Sequence, residues 1–383
     1  MLVTQAGTQL LSFDSPTDGT IMVVRNDVAK IVVRDDAAAN RTQLVQQPNG
    51  AIQLYFPNAQ GVARLTSTDD GVTWTGPVQT QSRATGSVES AALMPDGTPL
   101  FTQNATGSIT VFRGLDGAES KNVYTRCCGY HPSLAVDTSG HVEIAFYTNA
   151  DPDGATAFEA LGADLTPSAP TLLKPVGEHE APLVADRSGN TFLAWAPGYP
   201  QATEVTVVRF RDGQPAGDGV NFPGAFAGGD PHMALAVDGQ DRLWVVWSAG
   251  FVVHAARSRS HGSHFGATVT IPVSGTVHGI AAIAIAGNPG SASVVVNTGT
   301  RLIQQSVRPG LSVRVFKTTK KAVRKTIVTW WARALDDGFG VPHASFHIGR
   351  RTIAADSAGK ARVPAGSGKA VAPGYAGASF KVP

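Results

Sequence analysis

Hydrophobic and polar positions along this chain repeat one phrase: a short apolar run, a Pro/Asp/Gly turn, then a second apolar run that often ends on an aromatic residue. The phrase runs from Leu44-Val45 through Pro48-Asn49-Gly50 into Ile52 to Phe56, and again around Ala92-Leu93-Met94-Pro95-Asp96-Gly97. It returns at Ser133 to Gly140 before Val142 to Tyr147, at Pro182 to Gly189 before Phe192 to Trp195, and at Ala234 to Asp238 before Leu243 to Trp247. A weaker copy is Ala282 to Gly287 before Val294 to Val296. Turn anchors at 48, 95, 137, 186, 238 and 287 give steps of 47, 42, 49, 52 and 49 residues. A period of that length, with room for four strands in each unit, predicts a β-propeller.

The runs after the turns are apolar at nearly every position, as expected of strands covered on both faces. Third strands follow at Ser108 to Phe112, Glu204 to Phe210 and Phe251 to Ala256. An earlier unit, Thr8 to Phe13, Thr20 to Arg25 and Lys30 to Arg34, reads as one more blade and brings the expected number to seven. The alternative is six, with residues 1–36 completing the last blade. The fold class expected is therefore all-β, a propeller over 1–310. From residue 311 the period stops, and strand-like runs at Leu311 to Phe316, Thr326 to Ala332 and Gly340 to Ile348 predict a small β-sandwich over 311–383.

Composition narrows the partners. Charged residues make up 16% of the 383 and the net charge is +2, which leaves no electrostatic footprint for nucleic acid or an anionic membrane. No apolar run approaches the roughly 20 residues needed to span a bilayer. The start, Met1-Leu2-Val3-Thr4-Gln5, lacks the features of a signal peptide, and the reading taken here is a secreted, monomeric protein whose signal peptide has been removed. The two cysteines are neighbours, Cys127-Cys128, so the intrachain choice lies between a vicinal bridge and two thiols. The basic group Lys317, Lys320, Lys321, Arg324 and Lys325 reads as a solvated loop, with polyanion binding as the lesser alternative.

In a propeller, the loops entering the inner strands form one mouth. Counting six residues back from each anchor reaches Thr42, Glu89, His131, Glu180, His232 and Ala281. The same loops carry Arg41, Arg126, Tyr130, His179, Tyr199, Asp230 and His278. Ionisable groups recurring at one height mark a candidate ligand site, although any one of them can also serve a wet channel. Glu89, Glu180 and Asp230 can divide acid and base work in glycoside hydrolysis. Histidines 131, 179, 232 and 278 with Tyr130 equally suit β-elimination from a uronic acid, with Arg41 or Arg126 neutralising its carboxylate. Tyr199 is placed to stack on a sugar ring. The histidines lack the close spacing of a standard metal site, and neither metal nor cofactor is expected. The His261-x-x-His264 pair reads as a solvated turn.

One short motif is specific. Ser67-Thr68-Asp69-Asp70-Gly71-Val72-Thr73-Trp74 reads Ser-x-Asp-x-Gly-x-Thr-Trp after a strand-like run. In it Asp69 can cap the turn's own amides, Gly71 can take a positive φ and Trp74 can fold back on the blade. The motif resembles the Asp-box of sialidase-like (BNR-repeat) propellers, and the segment after 311 resembles bacterial Ig-like modules. The resemblance implies a propeller fold, an extracellular setting and glycan ligands. It would make Arg41 and Arg126 two of the family's carboxylate-gripping arginines, and Tyr130 with Glu89 or Glu180 its Tyr–Glu pair. The family's Arg-Ile-Pro segment and a third arginine in register are missing, which argues against cleavage of sialic acid itself. The competing expectations are a glycoside hydrolase or polysaccharide lyase acting on an acidic glycan, and a non-catalytic glycan- or protein-binding propeller.

Overall fold

The structure is a computed structural model describing residues 1–14, 19–33, 41–126, 128–149, 154–175, 177, 180–198, 202, 204–223, 232–249, 252–258, 261–262, 264–277, 283–288, 290–299, 301–322, 325–336 and 338–383, the side chains of 223, 249, 288, 322, 325 and 326 excepted. The described residues contain strands and turns and no helix. Seven antiparallel sheets among them follow in chain order, each a blade. Blade 1 is Leu2–Val3, Gln9–Asp14, Ile21–Arg25 and Val28–Val33, and blade 2 begins with Gln43–Gln46 and Ile52–Asn58. The inner strands of blades 3 to 7 are Ser87–Leu93, Gly129–Val136, Leu183–Ala185, Met233–Val237 and Ile283–Asn288. The first blade thus starts one strand earlier than its sequence pattern predicts, because a two-residue strand is too short to show a period.

Each inner strand touches that of the next blade, and Ile283–Asn288 touches Leu2–Val3, so the ring closes. Blade 7 has three strands among the described residues and borrows none from the N-terminus. Side-chain contact bridges that seam, with Gln304 Nε2 donating to Gln9 Oε1 at 3.0 Å.

The second strands explain why apolar residues run without alternation. Ile52, Leu54 and Phe56 pack toward blade 1, while Tyr55 between them packs toward blade 3. In blade 6, Trp244 and Val246 face blade 7, and Val245 and Trp247 face blade 5. Both faces of each such strand are dry, and fully burying each large side chain contributes about 1.5–3 kcal/mol. The turns between first and second strands share a mechanism. Asp137 Oδ1 accepts from the amides of Ser139 and His141, Asp186 Oδ1 from Ser188 and Asn190, and Asp238 Oδ1 from Gln240 and Arg242.

The Ser67–Trp74 segment joins the third strand of blade 2, Gly61–Ser67, to its fourth, Thr75–Gln79. Asp69 Oδ1 accepts from the Thr73 amide at 2.8 Å, and Ser67 Oγ accepts from the Gly71 amide at 2.9 Å. Gly71 has φ +84°, and a Cβ there would sit 2.9 Å from Leu10 of blade 1. Asp70 pairs with Arg25 at 3.2 Å, so this turn also ties blade 2 to blade 1. The His261 loop likewise crosses a seam: instead of standing free in solvent, His261 Nδ1 lies 3.2 Å from Asp186 Oδ2 of blade 5.

Two further sheets make a β-sandwich. One is Ser312–Ala322, Lys325–Asp336, Phe339–Gly340 and Lys360–Arg362; the other is Arg351–Ala354, Ser345–Ile348, Gly366–Val371 and Ala378–Val382. Leu311, Ala332, Ala334, Phe346, Ala370 and Val382 fill the space between them. The sandwich is docked on blade 6 by an ion pair between Arg257 and Asp336, both 2% exposed. Tyr375 Oη donates to Asp336 Oδ2 at 2.9 Å, and Arg257 lies over the Trp244 and Tyr375 rings at 5.8 and 5.7 Å.

Candidate functional site at the propeller mouth

Five consecutive blades deliver charged side chains to the axial end where the chain enters the inner strands. Arg41 precedes the inner strand of blade 2, Glu89 lies on that of blade 3, and His131 on that of blade 4. Glu180 and His232 stand just ahead of the inner strands of blades 5 and 6. A six-residue walk back along each strand from its turn brings them to one height.

They form two groups under one cation. Arg41 Nη1 lies 2.5 Å from Glu89 Oε2, and His131 Nδ1 lies 3.6 Å from the same oxygen. Ser87 Oγ donates to Glu89 Oε1, and Gln43 Nε2 donates to the Glu89 carbonyl at 2.8 Å. Across the mouth, Glu180 Oε1 meets His232 Nδ1 at 3.2 Å, and Glu180 Oε2 accepts from the Met233 amide at 3.0 Å. Burial pushes both carboxyls up, but their partners outweigh it. For Glu89, the His131 contact, the Arg41 charge and the Ser87 hydroxyl hold the carboxyl below its ordinary value. For Glu180, the His232 hydrogen bond and charge, then the Arg41 charge, do the same. The field of Arg41 therefore reaches both carboxylates, and its own Nη2 is buried without a hydrogen-bond partner among the described residues.

His131 is held in an uncommon backbone state. The pairing of blade 4's first two strands slips between Tyr130 and Ser133, a β-bulge, and His131 has φ +52°. A non-glycine residue there costs of order 1–3 kcal/mol, and such strain concentrates at functional positions. Here the bulge turns the imidazole toward Glu89. Glu180 meets its histidine at hydrogen-bonding distance through Nδ1, whereas His131 Nδ1 stands off Glu89 at 3.6 Å, an electrostatic contact. In each pair the carboxylate faces Nδ1 and so orients the ring.

Tyr130 is half-buried, its ring 6.3 Å from His131 and 6.0 Å from Tyr147. Arg126 is exposed on the loop ahead of blade 4 and is not drawn into either group. Thr42 donates to Ser12 Oγ at 2.7 Å and so joins blades 1 and 2. His179, Tyr199, Asp230, His278 and Ala281 lie outside the described residues. Cys128 is disulfide-bonded, and the one other cysteine of the sequence, Cys127, lies outside the described residues. The sequence reading missed Ser87 and the Met233 amide. Ser87 was visible in principle, two residues before Glu89 on the same strand face. It also missed two buried acids in blade 4. Glu143 is pushed up chiefly by burial, and burial takes Glu159, 4% exposed, up to about 7. Among the described residues, no three His, Cys, Asp or Glu side chains are disposed to hold a metal ion, and no helix is long and apolar enough to cross a membrane.

Fold and site together define the class: an all-β protein, a propeller with an appended sandwich, whose axial mouth is lined by carboxylate–imidazole pairs. No protein-family model matches the chain, and no curated protein matches its sequence. Solved structures do. An α-L-arabinofuranosidase of Fusarium graminearum, in complex with an iminosugar inhibitor, matches with a TM-score of 0.51 at 12% identity, over 79% of this chain and 97% of that one. A Penicillium chrysogenum α-L-arabinanase complexed with arabinobiose matches at 0.48 and 13%, over 78% and 98%. The six-bladed fucose-recognising lectin of Aleuria aurantia matches at 0.48 and 12%, over 69% and 89%. At such identities the likeness is one of fold.

Proposed function

We propose that this chain is a secreted, carbohydrate-active propeller whose mouth binds an acidic glycan and cleaves it by β-elimination. The observation that carries this reading is the pair of carboxylate-held imidazoles, His131 with Glu89 and His232 with Glu180, under the shared charge of Arg41. Hydrolysis by two carboxyl groups needs one of them kept protonated at working pH. Glu89 and Glu180 are both held down, which suits orienting anions and not a general acid.

In the proposed step, Arg41 Nη2 meets the carboxylate of a uronic acid and stabilises the charge that builds on it as the C5 proton leaves. His232 Nε2 takes that proton. The C5–H electron pair becomes the C4=C5 double bond, the C4–O4 bond breaks, and Tyr130 or His131 returns a proton to O4. The disulfide at Cys128 fits an oxidising, extracellular setting.

The test is a turnover assay on uronic-acid polysaccharides that reads ultraviolet absorbance from the new conjugated double bond alongside reducing ends. Both signals should rise with the wild-type protein and vanish with His232→Ala. Reducing ends without the absorbance would assign a hydrolase, and retention of the polymer with neither signal would assign a binding protein.

A further inference from the structure

The sandwich carries a second candidate site, on the outer face of the sheet whose inner face is the sandwich core. Strand register places its side chains in rows. Arg314 pairs with Arg333, and Arg333 with Lys360; Phe316 pairs with Trp331, and Trp331 with Arg362. Arg314, Phe316, Arg333, Ala358 and Lys360 line a groove of about 420 Å³, within the range of small-ligand sites. Two of the three cations are held in position. Lys360 Nζ sits 4.2 Å from the Trp331 ring centre and 5.3 Å from that of Phe316, and Arg333 Nε donates to the Ala358 carbonyl at 3.0 Å.

Among the described residues, no acid neutralises this groove. Residues 311–383 hold 13 Lys and Arg against Asp336, Asp337 and Asp356, a net +10. With +2 overall, residues 1–310 carry −8. Asp336 is buried in the joint with Arg257, and Asp356 caps its own turn through the Ala358 and Lys360 amides. Asp337 lies outside the described residues. The near-neutral total therefore conceals a strongly basic module, and its groove lies on the described sheet face, not on the lysine-rich tip that the sequence singled out.

We propose that this groove binds the carboxylate groups of an acidic polysaccharide and tethers the polymer that the mouth acts on. Two guanidinium forks and a fixed ammonium suit planar carboxylates. Nucleic acid fits less well: bases bind by stacking on free aromatic faces, and Lys360 already covers Phe316 and Trp331. The choice of a uronate polymer as the source of the carboxylates rests on the proposed reading of the mouth; the anion site itself does not. Because the buried Arg257–Asp336 joint fixes the sandwich on blade 6, a long chain engaged at both places gains effective concentration.

The test uses the full chain in native affinity electrophoresis with polygalacturonate, neutral dextran or single-stranded DNA cast into the gel. Polygalacturonate should retard the wild-type protein, increasingly as salt falls, and dextran should not. R314A/K360A should weaken that retardation at least about tenfold with an unchanged Tm, and K360R should keep it. Glu180→Gln should be retarded like wild type, and R314A/K360A should turn over short oligosaccharides normally, which separates failure of this site from failure of the mouth. Any of four results would overturn the proposal: a wild-type protein that polygalacturonate does not retard, equal retardation of the double variant, stronger retardation by the DNA, or retardation traced by sedimentation to self-association of the chain.

Discussion

The mouth and the joint between blade 6 and the sandwich both bury an arginine against a carboxylate, and they differ in what surrounds the pair. At the joint, Arg257 and Asp336 are each 2% exposed and lie beside Trp244 and Tyr375, shut between blade 6 and the sandwich. At the mouth, Arg41 retains 20% side-chain exposure against 3% for Glu89, and its charge reaches the carboxylates of both Glu89 and Glu180, each with an imidazole beside it. A closed pair can fix a geometry and nothing more. An open pair beside oriented imidazoles can meet a ligand. The same two residue types therefore brace the molecule in one place and offer chemistry in the other.

Glu180→Gln should break the mouth most severely. Without a carboxylate to orient His232, kcat should fall about 10²- to 10⁴-fold in the double-bond assay with KM little changed and Tm near wild type. The joint should behave the opposite way. Asp336→Ala strands a buried guanidinium and should cost about 3–5 kcal/mol in chemical denaturation, while kcat of the surviving folded protein stays at wild type.

Glu159 separates burial from function more finely. Its folded pKa, about 7, lies above that of an unfolded glutamate, about 4.3. The native state therefore holds the proton longer, and stability falls as pH rises from about 4.3 through 7. Glu159→Gln should raise Tm at pH 8 by a few °C, on the order of the ionisation cost removed, and leave it nearly unchanged at pH 4. A gain that is equal at both pH values would place the cause elsewhere. The smallest effect belongs to the blade 1–2 tie. Gly71→Ala must hold φ +84° and press on Leu10, and should cost about 1–3 kcal/mol without touching turnover.

What could be read from sequence follows from the range of the interactions involved. Asp137, Asp186 and Asp238 announce their turns because each caps amides only two and four residues away. The extended strands leading back from them have a fixed rise, so Glu89, His131, Glu180 and His232 fall at one height by counting. The pairing of these residues across blades was not legible, since it depends on how neighbouring sheets are set around the axis. Arg257 and Asp336 meet across 79 residues with no local signal at either position. The His131 bulge was equally hidden, because local preference puts a left-handed state at Gly129 and an extended one at the residue before Pro132, whereas His131 takes φ +52°. The basic groove needed strand register to bring Arg314, Arg333 and Lys360 into one row.

The central claim is that side chains from five blades converge on one opening that takes an acidic sugar. A crystal structure of the Glu180→Gln variant soaked with a uronic-acid oligosaccharide tests it directly. The account predicts the sugar in the mouth with its carboxylate against Arg41. A sugar bound on the outer rim, or at the mouth with its carboxylate turned away from Arg41, would contradict it.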